Sequence, residues 1–165
     1  MKDDFNDVKK FDAVINLAAK VNVQQSIDNP FEAYNVNFIG ALRAMNAALV
    51  NDIFFIQVGT ALAYQPSLKP LDETAVLEPK SPYAAAKASA DLAAIALNRS
   101  RKLRCTVFRL FNVYGPFQKP GYGNVVTSFI ERNEKHQPLV IHGTGKQERD
   151  FIYVSDVCSA IMAAV

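Results

Sequence analysis

The amino-acid sequence predicts an α/β protein built on a parallel sheet with helices on its faces. Three short apolar runs rich in β-branched or aromatic residues, AVINLAA (13–19), IFFIQVG (53–59) and CTVFRLF (105–111), have the unbroken hydrophobicity of buried strands. Between them lie two long segments of helical spacing. Each opens on a capping residue followed by proline, Asn29-Pro30 and Ser81-Pro82. Strand, helix, strand, helix, strand in that order implies right-handed crossovers and parallel pairing.

Taken in order, the N-terminal MKDDFNDVKKFD is polar and mixed in charge, unlike a leader, and the first strand follows it at 13–19. The first helix runs from Asn29-Pro30 to about Val50, with Phe31, Tyr34, Phe38, Leu42 and Met45 recurring every three or four residues. After the second strand, residues 59–80 carry Pro66, Pro70 and Pro79 and read as a loop over the strand ends, where ligands of such sheets bind. The second helix spans 82–99 and leads into the third strand. Beyond it, NVYGPFQKPGYGN (112–124) is turn chemistry, 123–135 suits a helix, PLVIHG (138–143) a strand and 155–165 a last helix.

Composition narrows the function. The 165 residues are 50% hydrophobic and 21% charged, as in an ordinary globular domain. Eighteen basic and 16 acidic residues give a formal charge of +2 and are scattered, so no cationic face suits a nucleic acid. No apolar run reaches membrane-spanning length. Cys105 and Cys158 sit far apart in apolar runs, as buried thiols of a reducing compartment would, which implies a cytoplasmic protein. His136 and His142 have no carboxylate or thiol at ligand spacing, so no metal site is expected. Neither Gly121-Tyr122-Gly123 nor Gly143-Thr144-Gly145 completes a dinucleotide fingerprint, because Val126 and Glu148 occupy the third glycine position; both read as turns.

The stretch SPYAAAKASA (81–90) carries the chemistry. On a helix Tyr83 and Lys87 face the same way, so an ammonium stands near a phenol whose ordinary pKa is ~10 and favours its anion. Either this is exposed decoration or it is an acid/base couple. Thr60, at the carboxyl end of the second strand, supplies the hydroxyl that completes a proton-transfer assembly.

Those residues lie within six segments that together resemble the extended short-chain dehydrogenase/reductase family, in its NAD-dependent nucleotide-sugar epimerase/dehydratase branch. The segments are VINLAAKVNVQQSIDNP, NVNFIGALRAMNAA, VGTALAY, SPYAAAK, RLFNVYGP and GTGKQERDFIYVSDV, in the family's order and at its separations. The resemblance implies the second half of a doubly wound, Rossmann-like sheet with flanking helices. Residues 1–111 would form part of the NAD-binding domain, including the catalytic helix 82–99, and 112–165 the start of the substrate-binding part. Roughly sixty residues carrying the glycine-rich βαβ part would precede the first strand, leaving that strand with an unpaired edge. The chain would stop within the helix after YVSDV.

By the same resemblance Tyr83 is the base, Lys87 its partner and a ligand of the nicotinamide ribose, and Thr60 the group that orients the sugar. Ala18, Ala19 and Asn37 would line the NAD cofactor, and Asn112 and Arg149 would meet the nucleotide diphosphate of a nucleotide-sugar substrate. Arg149 has the planar fork for phosphate oxygens, its alternative being a surface cluster with Glu148 or Asp150. The implied reaction moves a hydride from a sugar carbon to NAD while Tyr83 takes the hydroxyl proton, giving a keto intermediate that is reduced on its other face. The family's 4,6-dehydratases carry an acidic pair after the threonine; Ala61 and Leu62 stand there in this chain, which disfavours water elimination and leaves epimerase, reductase or decarboxylase chemistry. Gln65 replaces the family's glycine after the VY-like pair. The alternative of another class is a catalytically silent fragment that keeps the motifs without a complete cofactor site. Family members are commonly dimers through helices equivalent to 30–50 and 82–99, so a homodimer is expected by analogy.

Overall fold

The first apolar run becomes strand β1 (Ala13–Asn16), shorter than the run itself because the chain leaves the sheet at Leu17. The computed structural model describes residues 7–119, 124–141 and 143–165. β2 (Phe54–Thr60) lies between β1 and β3 (Cys105–Leu110), parallel to both, in the order β1-β2-β3. In register, Asn16 stands opposite Gln57, and Gly59 opposite Arg109. Thr60 still pairs with Leu110, so the strand runs one residue beyond the sequence expectation. Among the described residues β1 pairs on one side alone, and Phe11, Ile15 and Leu17 around it are exposed.

The segment after β1 departs from the expected single helix. A short helix α1 (Val23–Asp28), capped by Asn22 accepting from Gln25 N at 3.0 Å, precedes the expected start. α2 (Pro30–Tyr34) begins at Pro30 with Asn29 as its cap, a π-helical turn covers Asn35–Ile39, and α3 (Gly40–Val50) continues with no break in right-handed backbone. The π turn inserts a residue into the helical repeat and rotates α3 relative to α2. The buried face is Ala33, Asn37, Ala41, Ala44, Met45 and Ala48, whereas Phe31 is 83% exposed. Of the five apolar residues whose spacing marks a core face, only Met45 is fully buried; the alanines let the helix approach its neighbours closely.

α4 (Pro82–Arg101) starts where Ser81-Pro82 predicts: Ser81 accepts from Ala84 N at 3.2 Å, and Lys102 ends the helix with a left-handed φ of 60°. Ala84, Ala86, Ala88, Ala90 and Ala94 are all buried, so the alanines line a helix packed on several sides. Ala90 and Ala94 join Ala41, Ala44, Met45, Ala48, Ile53, Phe55 and Leu103 in one apolar core between α3, α4 and the sheet. Each larger side chain fully buried there contributes about 1.5–3 kcal/mol.

Met1–Leu110 with Ala164–Val165 form one unit and Phe111–Ala163 another. In the second, β4 (Asn112–Tyr114) pairs in parallel with β5 (Phe151–Tyr153), and helices α5 (Val125–Glu134) and α6 (Val154–Ala164) match the expected segments. The strand expected at 138–143 does not form over 138–141. Leu139, Val140 and Ile141 are exposed, and a β-strand exists only by pairing, for which no neighbour stands beside them among the described residues. The sequence predicts both cysteines buried; Cys105 is half-buried and Cys158 exposed, because α6 turns Cys158 away from buried Val157 and Ile161. Gly143 and Gly145 have φ of 73° and 72°, as turns require. His142 and Gly121–Gly123 lie outside the described residues.

Candidate functional site

The site forms where β2 ends beside the first turns of α4. Thr60, the last residue of β2, caps the 3₁₀ turn Ala61–Ala63 by accepting from Leu62 N at 3.3 Å. The loop beyond is held to itself, with Gln65 N donating to Val76 O at 2.8 Å and Glu78 N to Ala63 O at 3.0 Å, so Gln65 takes part in pairing rather than a tight turn. Tyr83 lies in the first turn of α4, where backbone N–H groups have no helical partner. Its N–H is satisfied from outside the helix, by Ser26 Oγ of α1 at 3.1 Å, and Ser26 in turn donates to Val23 O at 2.6 Å. α1 thereby fixes the start of the helix that presents the phenol.

Thr60, Tyr83 and Lys87 are all buried. Burial pushes the Tyr83 phenol above its ordinary value, the Thr60 hydroxyl lowers it by hydrogen bonding, and the negative charge of Asp91 raises it further. Helical spacing alone predicts that Lys87 makes this phenol acidic; in the chain by itself burial outweighs any such help. Lys87, 3% exposed, is pushed below the usual lysine value by burial, and Asp91 opposes that. The Tyr83–Lys87 pair is therefore no surface decoration.

Asp91 is a residue that the sequence motifs do not single out. It sits one turn beyond Lys87 on the same face of α4, is 0% exposed, and its Oδ2 accepts from Arg109 Nε at 3.0 Å. Arg109 also donates from Nη1 to the Tyr64 hydroxyl at 3.0 Å, with its guanidinium carbon 5.0 Å from that ring's centre. Burial raises Asp91 to about 6, outweighing the lowering by Arg109, Lys87 and Gln57. Oδ1 is buried without a well-formed hydrogen bond. Gln57 accepts from Asn16 Nδ2 at 2.9 Å, so polar side chains run from the end of β1 beneath the helix to Tyr64. The signals legible in the sequence are an acid four residues after Lys87 and a glycine inside a strand, which marks close approach of a neighbour.

Ala18 and Ala19 lie on the loop after β1, and their side chains stop at Cβ, leaving the backbone open to a ligand. Asn37 holds that loop: its Oδ1 accepts from Lys20 N at 2.7 Å and its Nδ2 donates to Lys20 O at 3.0 Å. Buried and bonded to both backbone groups of Lys20, Asn37 shapes the loop. The sequence contains no glycine-rich turn for the pyrophosphate. In the other unit, Asn112 Nδ2 donates to Asp150 O at 2.9 Å, and exposed Arg149 donates from Nη1 to Glu148 O at 2.7 Å.

A family model described as the NAD dependent epimerase/dehydratase family matches residues 2–165. The dTDP-D-glucose 4,6-dehydratase of Mus musculus is 34% identical over 161 residues, covering 96% of this chain and 45% of its own length. Among solved structures, the UDP-glucose 4-epimerase of Thermotoga maritima, determined with UDP-glucose, superimposes with a TM-score of 0.89 at 34% identity, covering 94% of this chain and 52% of that one. The UDP-glucose 4-epimerase of Thermus thermophilus, determined with NAD, gives 0.84 at 31% identity, covering 94% and 53%. The chain thus spans about half the length of the curated relatives it matches.

Proposed function

The chain belongs to the NAD-dependent epimerase/dehydratase family, and from that premise we propose that it carries the catalytic part of an epimerase that inverts a carbon of a nucleotide sugar through a keto intermediate. The observation that carries this reading is the burial of Thr60, Tyr83 and Lys87 together at the carboxyl end of β2. NAD, when bound, accepts the hydride released from the sugar carbon and returns it. Thr60 orients the sugar hydroxyl. Tyr83 takes the hydroxyl proton at its phenolic oxygen and later gives it back. Lys87 holds the phenolate and the ribose hydroxyls.

Because burial and Asp91 both hold the Tyr83 phenol up, proton abstraction needs a further positive charge beside it, and oxidised nicotinamide carries one. A positively charged cofactor beside Tyr83 would therefore favour loss of its proton. Ala18 and Ala19 would border the cofactor on the loop that Asn37 fixes, and Asn112 and Arg149 would meet the nucleotide phosphates. Ala61 and Leu62 following Thr60 have no proton to move, which favours epimerisation over elimination even though a dehydratase is among the relatives.

Turnover of UDP-glucose to its C4 epimer in the presence of NAD, lowered by ~10²–10⁴-fold in Tyr83→Phe, is the expected result; an undiminished rate in that variant refutes the role of Tyr83. A second reading, a catalytically silent form, draws on the pairing of β1 on one side alone among the described residues. Titration with NAD separates the two: saturable binding supports the enzyme, and none supports the silent form.

A further inference from the structure

The buried acid on α4 exchanges no proton with the substrate in the proposed reaction, yet the fold makes room for it. Gly59 stands opposite Arg109 across the β2–β3 pairing, and the side chain it lacks is the space Asp91 occupies: a Cβ at Gly59 would lie 2.5 Å from Asp91 Oδ2 and 2.6 Å from Oδ1. Helical side chains lean toward the preceding turn, so Asp91 leans toward Lys87. Arg109 grips one carboxylate oxygen, and Tyr64 fixes Arg109 from the far side by hydrogen bond and ring face. The other oxygen is left without a well-formed bond in a place water does not reach.

We propose that Asp91 is a positioning residue, whose carboxylate, wedged between Gly59 and Arg109 one helical turn from Lys87, holds that buried ammonium charged and in place. This rests on the reading of Lys87 as the partner of the catalytic phenol. A lysine 3% exposed tends to shed its proton, since burial disfavours the charged form, and a nearby anion is what retains it. Other ionisable groups on the elements packed against α4 are Asp28, Glu32, Tyr34, Arg43, Cys105 and Arg109; the charge that acts on Lys87 is that of Asp91. Glu32 is taken up by Lys20 at the surface, and Arg109 by Asp91 itself. Asp91 also raises the Tyr83 phenol, so the same carboxylate that keeps Lys87 cationic keeps the base protonated until a positive ligand arrives.

The test is the titration of Lys87 in the 165-residue chain, followed through its Cε resonance with ¹³C-labelled lysine and assigned by its loss in Lys87→Arg. The Lys87 midpoint is expected at lower pH in Asp91→Asn than in the unmodified chain, and nearer the unmodified value in Asp91→Glu. A pair that merely ties α4 to β3 would leave the lysine unmoved, so an unchanged midpoint in folded Asp91→Asn overturns the proposal. Should that variant not fold, the unmodified chain decides. Its Lys87 resonance must show a second inflection where Asp91 titrates, about 6, and a flat trace through that window overturns the proposal equally. Neither measurement uses NAD or sugar, so unimpaired epimerisation in Tyr83→Phe would sink the proposed function and leave this result standing.

Discussion

Replacing Gly59 by alanine places a methyl carbon 2.5 Å from Asp91 Oδ2, 2.6 Å from Oδ1 and 2.9 Å from Cγ, all inside van der Waals contact. The short Asp91 side chain is 0% exposed and cannot swing into solvent, so either α4 lifts from β2 or the carboxylate leaves Arg109. Lifting the helix is an overpacking cost of ~1–3 kcal/mol. Breaking the pair costs about 3–5 kcal/mol when it is buried, less here because the Arg109 side chain keeps 12% of its exposure. Whichever path the chain takes, the expected loss is about 3 kcal/mol, or a fall of roughly 6–12 °C in Tm for a chain of this size. Gly40→Ala is the control: its Cβ would meet nothing nearer than Asn35 O at 3.8 Å, in a helix, where alanine gains about 0.5–1 kcal/mol over glycine. Urea unfolding of both variants should therefore give opposite signs. The decisive arm is the double variant, since Gly59→Ala should cost little once Asp91→Ala has removed the obstruction. A loss below about 1 kcal/mol in the single variant, or an additive double variant, refutes the account of why this strand holds a glycine.

Three further outcomes are expected from the same geometry. Asp91 stands at about 6 in the fold against an ordinary 3.8, so the folded chain holds its proton more tightly than the unfolded one; this contribution to stability is full below pH ~4 and lost as pH rises through ~6, about 3 kcal/mol in all. The urea midpoint of the unmodified chain should accordingly show a downward component between those limits that Asp91→Asn lacks, and identical pH profiles would count against it. Asn37→Ala releases both backbone groups of Lys20 and should cost about 2 kcal/mol, read as faster hydrogen exchange at the Lys20 amide; unaltered exchange would show that the loop stands without its clamp. Ser81→Ala removes the cap of α4 and should cost about 1 kcal/mol in thermal unfolding, whereas no loss would mean that Ser26, bound to Tyr83 N, carries the helix start alone.

Much of the fold is legible in the sequence because its signals are local. Apolar runs of strand length mark β1, β2 and β3 to within a few residues, and Asn29-Pro30 and Ser81-Pro82 mark helix starts through capping alone. Signals that depend on a partner mislead. PLVIHG has strand composition, but Leu139–Ile141 have no strand beside them among the described residues. The stripe from Phe31 to Met45 has helical spacing, but Ala33, Ala41, Ala44 and Ala48 face inward with Met45 while Phe31 and Tyr34 stay exposed. Cys158 lies in an apolar run and still points outward.

The candidate site divides in the same way. Residue types and intervals along one helix and one strand end are enough to pick out Thr60, Tyr83 and Lys87, since i and i+4 share a face in any helix. That these groups are buried, that Asp91 fills the gap at Gly59 beside Arg109, and that Ser26 anchors the Tyr83 backbone are decided by which elements pack together. A sequence determines where an ammonium and a phenol can meet; only the packed structure determines how much water each keeps, and desolvation sets the proton affinity of both.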